Sequence, residues 1–309
     1  MTVPPQVHGG FDPSPWGTLP EELPEASQPA GLWSDVWRRF RANKLAVIGL
    51  VFIVFLVLVA IFADVIAPYS ITERDSSQFR SGPSSDHWFG TDLIGRDVFS
   101  RVVYGSRVSL RIGIVSTLIA MFIGVLLGGF AGFVGRWPGA LVMRITDIFL
   151  SIPYIVLAIA IATVFGRSEN SVIVVLGVTG WLGICRIVRA SFMQLNNVEY
   201  IEAAHALGYK GSRIMFRHML PNSLQPIIVY GTIAIGSAIL AEAALSFLQV
   251  GPQDPTPAWG LMVSQGKGDL ANAPHLVLFP GLAISLTVLA FVLIGDGLRD
   301  ALDPKLKSR

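Results

Sequence analysis

The sequence EYIEAAHALGYKGSRIMFRHMLPN, residues 199–222, decides the fold because it is a polar, basic interruption between two long apolar runs. Each flanking run approaches the roughly 20 apolar residues that an α-helix needs to cross a bilayer. The interruption itself carries too many charged and turn-forming residues to enter a membrane. It therefore predicts a surface segment held between two membrane spans, which is the arrangement expected of a docking surface.

The composition of the whole chain agrees with membrane spans. Of its 309 residues, 52% are hydrophobic and only 14% are charged, and the mean hydropathy is +0.59, whereas soluble domains carry about 25% charged residues. The chain is therefore predicted to be an all-α polytopic membrane protein. Its single cysteine, Cys185, excludes an internal disulfide and is interpreted as a small core residue.

Six apolar runs are long enough to be transmembrane helices, and they divide the chain. The predicted segments are a disordered cytoplasmic tail (1–30), an amphipathic juxtamembrane helix (31–44), the first span (45–67), an external loop (68–106), a core domain with the other five spans (107–296) that includes a cytoplasmic loop (190–222), and a cytoplasmic tail (297–309). The five spans of the core are predicted at 107–134, 140–165, 171–189, 224–248 and 275–294.

The distribution of positive charge orients these spans. An alternating arrangement that starts in the cytoplasm places 15 of the 23 Lys and Arg residues inside, and positive charge is retained on the cytoplasmic side. Both termini are therefore predicted to be cytoplasmic. The first apolar run begins only near Leu45, after an acidic and proline-rich tail, so we expect an uncleaved anchor.

The residues just before the first span show a helical pattern. Trp33, Val36, Trp37 and Phe40 recur with the spacing of one helix face, and basic residues cover the rest. This pattern predicts a short helix lying at the cytoplasmic membrane surface. The alternative is a plain juxtamembrane linker.

Four glycines in the second span predict close helix packing. Gly124, Gly128, Gly129 and Gly132 share a face, and Gly128 and Gly132 have the GxxxG spacing that lets another helix approach.

A few polar residues fall inside or at the edge of the predicted spans. Arg144 and Asp147 lie three residues apart, and we expect a mutual ion pair because pairing lowers the cost of charge at a membrane boundary. Pro153 should kink the third span. Glu242 lies in the fifth span, where it serves either as a pathway residue or in a structural hydrogen bond between helices.

The polar external segments carry further predictions. Asp97 is expected to cap the helix that follows it, and Trp259 to be an anchor at the membrane interface. Asp86, His87 and Asp92 are candidate metal ligands, but their spacing matches no common site, so a structured loop is favoured.

The sequence lacks the motifs of nucleotide binding and of common hydrolases. It contains no Walker A motif, and no GxSxG, HExxH or CxxC occurs. Energy for any uphill transport must therefore come from another chain or from an ion gradient.

The segment at residues 199–222 is predicted to contain two short helices. Ile201, Ala204 and Leu207 would share the inner side of the first helix, and Gly208 would adopt the left-handed conformation that ends it. Ser212 is predicted to cap the second helix. The two helices would form a compact knob on the cytoplasmic face, although an ordinary amphipathic connector remains the alternative.

Several blocks of sequence together resemble a known family. Glu202-Ala203-Ala204, with Gly208 six residues after the glutamate and then Leu220-Pro221, resembles the EAA loop of ABC-importer permeases. The blocks FGTDLIGRDVFSRVVYGSRVSL, LSFLQVGPQDPTPAWG and GDGLRDALDPK are similar to the dipeptide/oligopeptide/nickel permease family, and the match covers about residues 36–305. The last block points to the second of the two paralogous permeases in such systems.

The resemblance implies a type I ABC importer permease fold in a bacterial inner membrane. It implies a paralogous permease subunit, one or two ATP-binding subunits that hold ATP and Mg²⁺, and an external substrate-binding protein as partners. It implies no cofactor in this chain and no nucleic-acid partner. The docking contacts would fall on Glu199, Glu202, Ala203, Ala204, Gly208, Tyr209, Ser212 and Arg213.

Two other functions are compatible with parts of the sequence. An ion-coupled secondary transporter would predict inverted repeats with paired broken helices, and neither is found. A scaffold or sensor subunit would need only the docking surface. Peptides are the leading substrate class, while nickel, haem-like molecules and other small solutes remain alternatives.

Overall fold

A computed structural model describes residues 32–303, with side chains described from Ser34 onward. The predicted disordered tail and the last six residues therefore lie outside the described residues. The helices, in chain order, are α1 (Leu32–Ala42), α2 (Lys44–Ile61), α3 (Ala63–Ile66), α4 (Val98–Val134), α5 (Arg136–Leu150), α6 (Tyr154–Phe165), α7 (Glu169–Leu195), α8 (Glu199–Ala206), α9 (Gly211–Arg213), a π-helical turn (Ile214–Met219), α10 (Leu220–Asn222), α11 (Leu224–Phe247), α12 (Trp259–Gly266), a 3₁₀ turn (Lys267–Asp269) and α13 (His275–Leu302).

Five of these helices are long and apolar enough to cross a membrane. They are α2, α4, α7, α11 and α13, and the pair α5 and α6 supplies a sixth span if it is counted as one broken helix. No strand occurs within residues 32–303 apart from an isolated bridge between Thr91 and Asp97. The all-α, six-span prediction is therefore confirmed.

The second span is longer than predicted. It was expected to start at Arg107, but α4 runs for 37 residues from Val98, and the predicted capping residue Asp97 accepts a hydrogen bond from the Ser100 amide at 2.7 Å. At ~1.5 Å per residue such a helix is roughly 55 Å long and exceeds the hydrocarbon core. The helix predicted to follow Asp97 and the span predicted from Arg107 are therefore one continuous helix.

The glycine face of α4 packs directly on α7. A Cβ atom added at Gly124 would meet Ile184, one at Gly128 would meet the Cys185 carbonyl, and one at Gly132 would meet the Arg189 carbonyl. The two backbones are in contact only because these positions have no side chain. The packing prediction is confirmed, and it joins α4 and α7 along much of their length.

The third span is broken rather than kinked. Helices α5 and α6 meet at an angle of 89° around residues 151–153. Pro153 cannot donate a backbone hydrogen bond, and the Ser151 amide instead closes a last turn onto the Asp147 carbonyl at 3.0 Å. The predicted kink is therefore a full break, which leaves two short helices on the side of α7.

The ion pair predicted for the third span is wrong. Asp147 binds Arg186 of α7 at 2.6 Å, whereas Arg144 is exposed. Asp147 therefore ties α5 to α7, and the sequence distance of 39 residues hid this partner.

The amphipathic helix α1 is attached to the end of α13. Phe40 is buried with Ala46, Ile294 and Ala301, and Arg39 donates a hydrogen bond to the Asp303 carbonyl at 3.2 Å. Trp37, in contrast, is 52% exposed. The predicted apolar face therefore packs against the protein at Phe40 and is exposed at Trp37. The Trp33 side chain lies outside the described residues.

The segments that were predicted to be external fold into a polar layer, named the external layer, over one end of the bundle. His87 Nδ1 lies 2.9 Å from Asp97 Oδ1, which gives that histidine a structural role in the loop. Trp259 was predicted to be an interfacial anchor, but it is fully buried and its indole donates to the Val102 carbonyl at 2.9 Å. The Trp259 ring is buried against α4 because Gly105 has no side chain and leaves room for it.

Two buried arginines connect this layer across the chain. Arg96 and Arg101 bind the same oxygen of Asp254, at 2.9 and 3.2 Å. Partial burial raises the pKa of Asp254. The two guanidinium groups lower this pKa by more than burial raises it, so it lies below the usual aspartate value.

Candidate functional site

The segment 199–222, called the docking segment below, is anchored by an apolar inner face. Its first helix, α8, turns Ile201 and Ala204 inward, and both are buried with Val188 and Phe192 of α7. Ile214 and Met219 of the π-helical turn join the same cluster. Leu207 was predicted to share this face, but it lies past the end of α8 and is 73% exposed.

Gly208 ends α8 in the predicted left-handed conformation. Its φ is +73°, its amide donates to the His205 carbonyl at 2.9 Å, and the next amide, of Tyr209, donates to the Ala204 carbonyl at 3.1 Å. These bonds satisfy carbonyls that the helix end leaves free. A glycine is needed because other residues rarely adopt this φ.

The second helix of the segment begins without the predicted serine cap. Lys210 occupies the capping position, no side chain makes a capping hydrogen bond, and Ser212 lies within α9 and is exposed. The chain then widens into the π-helical turn before Pro221, which has no amide to donate. Such turns are frequent at functional sites.

The outer face of the docking segment separates its charges. Glu199 and Glu202 are exposed on α8, while Lys210, Arg213 and Arg217 lie beyond Gly208. The guanidinium carbon of Arg213 sits 4.6 Å from the centre of the Tyr209 ring, a cation–π arrangement. Of the predicted docking residues, Ala203 is exposed as well, whereas Ala204 faces the interior.

Contacts with α4 complete the attachment of the docking segment. The Asn196 amide group, just before α8, donates to the Gly132 carbonyl at 3.0 Å. Phe133 stacks on His205 with ring centres 6.1 Å apart, and its ring edge also fills the space beside Gly211. The segment is therefore fixed to the ends of α4 and α7 while its charged face stays free.

A cavity of about 290 Å³ lies at the middle of the bundle. Its wall comes from the central turns of α4, α7 and α11 and from the break between α5 and α6. The residues with hydroxyl groups in this wall are Ser116, Thr117, Tyr154, Thr179, Tyr230 and Ser237. Sequence reasoning missed this site, although the hydroxyls near the centres of three apolar spans were a visible signal.

A second cavity lies between the first and the docking segment. Its volume is about 610 Å³, and its polar lining includes Gln194, Asn222, Gln225 and Arg299. Tyr230 and Ile233 line both cavities. The Tyr230 hydroxyl lies directly over Gly183, because a Cβ atom there would collide with it.

Glu242 lies in neither cavity. It is completely buried, and it accepts hydrogen bonds from Ser246 at 2.6 Å and from Ser109 of α4 at 3.2 Å. These contacts favour the structural alternative, in which the residue connects α11 to α4. Asp147 and Arg144 also lie outside the lining of the two cavities.

Comparisons with protein families agree with this architecture. Residues 124–308 match the binding-protein-dependent transport system inner membrane component family. Residues 31–83 match the N-terminal transmembrane domain of oligopeptide transport permease C. The two matches together cover the described chain except for residues 84–123, which include the first two thirds of α4.

Two individual relatives extend these matches to nearly the whole chain. The chain is 46% identical over 296 residues to the dipeptide transport system permease protein DppC of Alkalihalophilus pseudofirmus, covering 96% of each chain. It is 43% identical over 277 residues to the glutathione transport system permease protein GsiD of Pectobacterium atrosepticum, covering 89% of this chain and 92% of that one.

The fold also matches a solved transporter. The MetNI methionine ABC transporter in an inward-facing conformation aligns with a TM-score of 0.56 and 23% identity, covering 66% of this chain and 96% of that chain. The type I importer permease fold is therefore confirmed. The chain belongs to the binding-protein-dependent transport system inner membrane component family, and it is a permease subunit of an ABC importer.

Proposed function

We propose that this chain forms half of the translocation pathway of an ATP-driven importer of dipeptides and oligopeptides. The observation that carries the proposal is the docking segment, whose apolar face is buried against α7 while its charged face is free. The relatives named for dipeptide and glutathione transport support a peptide substrate, since glutathione is itself a short peptide.

The docking segment transmits the movement of an ATP-binding subunit to the membrane helices. The exposed charges at Glu199, Glu202 and Arg213 contact the partner, with Ala203, Gly208, Tyr209 and Ser212 between them. Ile201 and Ala204 hold α8 on the end of α7, and α10 runs into α11. A shift of the segment therefore moves both spans as packed bodies.

The complete importer contains four kinds of subunit. A paralogous permease supplies the other half of the pathway, one or two ATP-binding subunits hold ATP and Mg²⁺, and an external binding protein delivers the substrate. The docking segment and both termini face the cytoplasm of a bacterial cell, because the positive charges cluster on that side.

The proposal is tested in proteoliposomes that contain the complete importer. Uptake of labelled dialanine is measured with ATP inside, for Glu202→Lys and Gly208→Pro. Charge reversal opposes the partner contact, and proline cannot adopt the +73° φ of Gly208, so we expect both variants to lose uptake at least ten-fold. Glu202→Gln, which keeps the side-chain shape, should retain an intermediate rate.

The same assay separates the alternatives. Full uptake by both disruptive variants would overturn the assignment of the docking segment. Uptake that persists without ATP but disappears when the ion gradient is collapsed would instead establish a secondary transporter. A nickel salt in place of dialanine tests the other substrate class.

A further inference from the structure

The junction of α1 and α2 places exposed basic side chains beside an exposed apolar surface. Arg41, near the end of α1, and Lys44, the first residue of α2, are both exposed. Leu45 and Ile48, which follow directly, are 59% and 61% exposed. We propose that this junction binds the headgroup of an anionic membrane phospholipid. The site, called the basic corner below, consists of Trp37, Arg41, Lys44, Leu45 and Ile48.

The two charges of the basic corner have no partner of opposite charge in the described part of the chain. Arg38, on the same helix as Arg41, pairs with Asp35 at 2.8 Å. Arg41 and Lys44 form no ion pair with any residue from 34 to 303. Helix α2 itself contains no Asp or Glu. Both cations are therefore available to an anion from outside the protein.

The protein holds the basic corner in a fixed position. Phe40 of α1 is buried with Ala301 of α13. Asn43, between the two helices, caps α2 by accepting a hydrogen bond from the Ala46 amide at 3.2 Å. Asp300 of α13 reaches the same turn, but it accepts its hydrogen bond from the Asn43 amide group at 3.5 Å and pairs with neither basic residue. The basic side chains thus project from an anchored turn.

An apolar stripe that starts at the charge identifies a phospholipid as the ligand. Lys44 and Ile48 lie four residues apart and share a face of α2. Val51 and Phe55, 63% and 58% exposed, continue this face. An acyl chain can lie along such a stripe while its phosphate meets Lys44. A soluble anion would leave the stripe unused.

The α1 side of the basic corner suits the boundary between water and lipid. Trp37 and Arg41 are four residues apart, so they share a face of α1, and Trp37 is 52% exposed. Tryptophan is enriched at membrane–water interfaces. The positive end of the α2 dipole lies at the same turn and also favours a phosphate. Two cations near one headgroup favour an anionic lipid over a zwitterionic one.

The test measures phospholipid binding to the complete importer by native mass spectrometry. Dioleoyl phosphatidylglycerol, which is anionic, is compared with dioleoyl phosphatidylcholine, which is zwitterionic. Each basic residue near an anionic surface contributes about five-fold in affinity. The pair Arg41→Gln and Lys44→Gln should therefore lower the affinity for phosphatidylglycerol roughly ten-fold or more and leave phosphatidylcholine binding unchanged. The pair Arg41→Lys and Lys44→Arg keeps both charges and should stay within two-fold of the unaltered importer.

The control pair, Arg136→Gln and Arg144→Gln, removes two exposed arginines of α5 and should keep the original affinity. An equal loss in this control would show an effect of net charge alone. That result, or equal binding of the two lipids by the unaltered importer, would overturn the proposal. If the glutamine pair at the basic corner instead releases the paralogous permease, this surface binds a protein and the proposal is wrong. These measurements need no peptide uptake, so their outcome does not depend on the proposed substrate.

Discussion

The two ends of the long helix α4 use charge in opposite ways. At its first turns, Asp97 contacts His87, and Arg96 and Arg101 converge on Asp254, so charges point inward and hold the external layer together. At its last turns, the docking segment turns Ile201 inward and leaves Glu202 exposed. One end is thus held together by ion pairs, whereas the other is held by apolar contacts and leaves its charged side chains exposed.

The difference indicates where specificity resides in this subunit. A surface whose charges are already paired has little left to offer a partner, while unpaired charges on a rigid knob select a complementary one. Between the two ends, the cavity of about 290 Å³ at the middle of the bundle has no charged residue in its lining. The charged side chains of these regions thus lie at the two ends of the bundle, and the lining of the cavity between them is neutral.

The largest effect should come from removing the apolar attachment of the docking segment. Ile201→Ala deletes a fully buried side chain, and such changes cost about 2–5 kcal/mol. We expect α8 to detach, so that ATP hydrolysis continues without dialanine uptake in proteoliposomes. Leu207→Ala is the matched control, because Leu207 lies on the same segment and is 73% exposed; equal behaviour of the two variants would show that burial does not carry the coupling.

A substitution in the contact between α4 and α7 should have the next largest effect, because this contact connects the two ends. Gly128→Ala places a methyl group against the Cys185 backbone, and overpacking costs about 1–3 kcal/mol. The melting temperature of the purified complex should fall. Gly281→Ala provides the control, since a Cβ atom at Gly281 meets nothing within 4 Å, and a similar loss there would contradict the packing argument.

The sequence predicted features that depend on neighbours along the chain. The apolar spans, the glycine face of α4, the cap at Asp97 and the left-handed Gly208 all follow from local pattern or from backbone geometry. The family resemblance added the docking segment as a functional unit. These features are local because each is fixed by residues within a few turns.

The features that the sequence did not predict depend on contacts between distant segments. Asp147 was predicted to pair with Arg144, three residues away, but its ion-pair partner is Arg186 on another helix. Trp259 was predicted to lie at the membrane interface, but it is buried in the space left on α4 by Gly105, a residue more than 150 positions earlier in the chain. The cavity at the middle of the bundle likewise exists only where four helical segments meet, so no single span reveals it.

The smallest effect concerns the paired charges at the external end. The pKa of Asp254 is lowered in the folded protein, so its pairing contributes stability above the unfolded aspartate pKa of about 3.9 and loses that contribution as pH falls through the folded value. The melting temperature should therefore drop as the pH falls below about 4, and Asp254→Asn should weaken that dependence. The effect is limited because Asp254 is 46% exposed and salt screens it. A pH profile that Asp254→Asn leaves unchanged would show that the ion pairs of Asp254 do not cause the loss of stability at low pH. The docking segment has no ion-paired carboxylate of this kind, so its apolar attachment should not change over the same pH range.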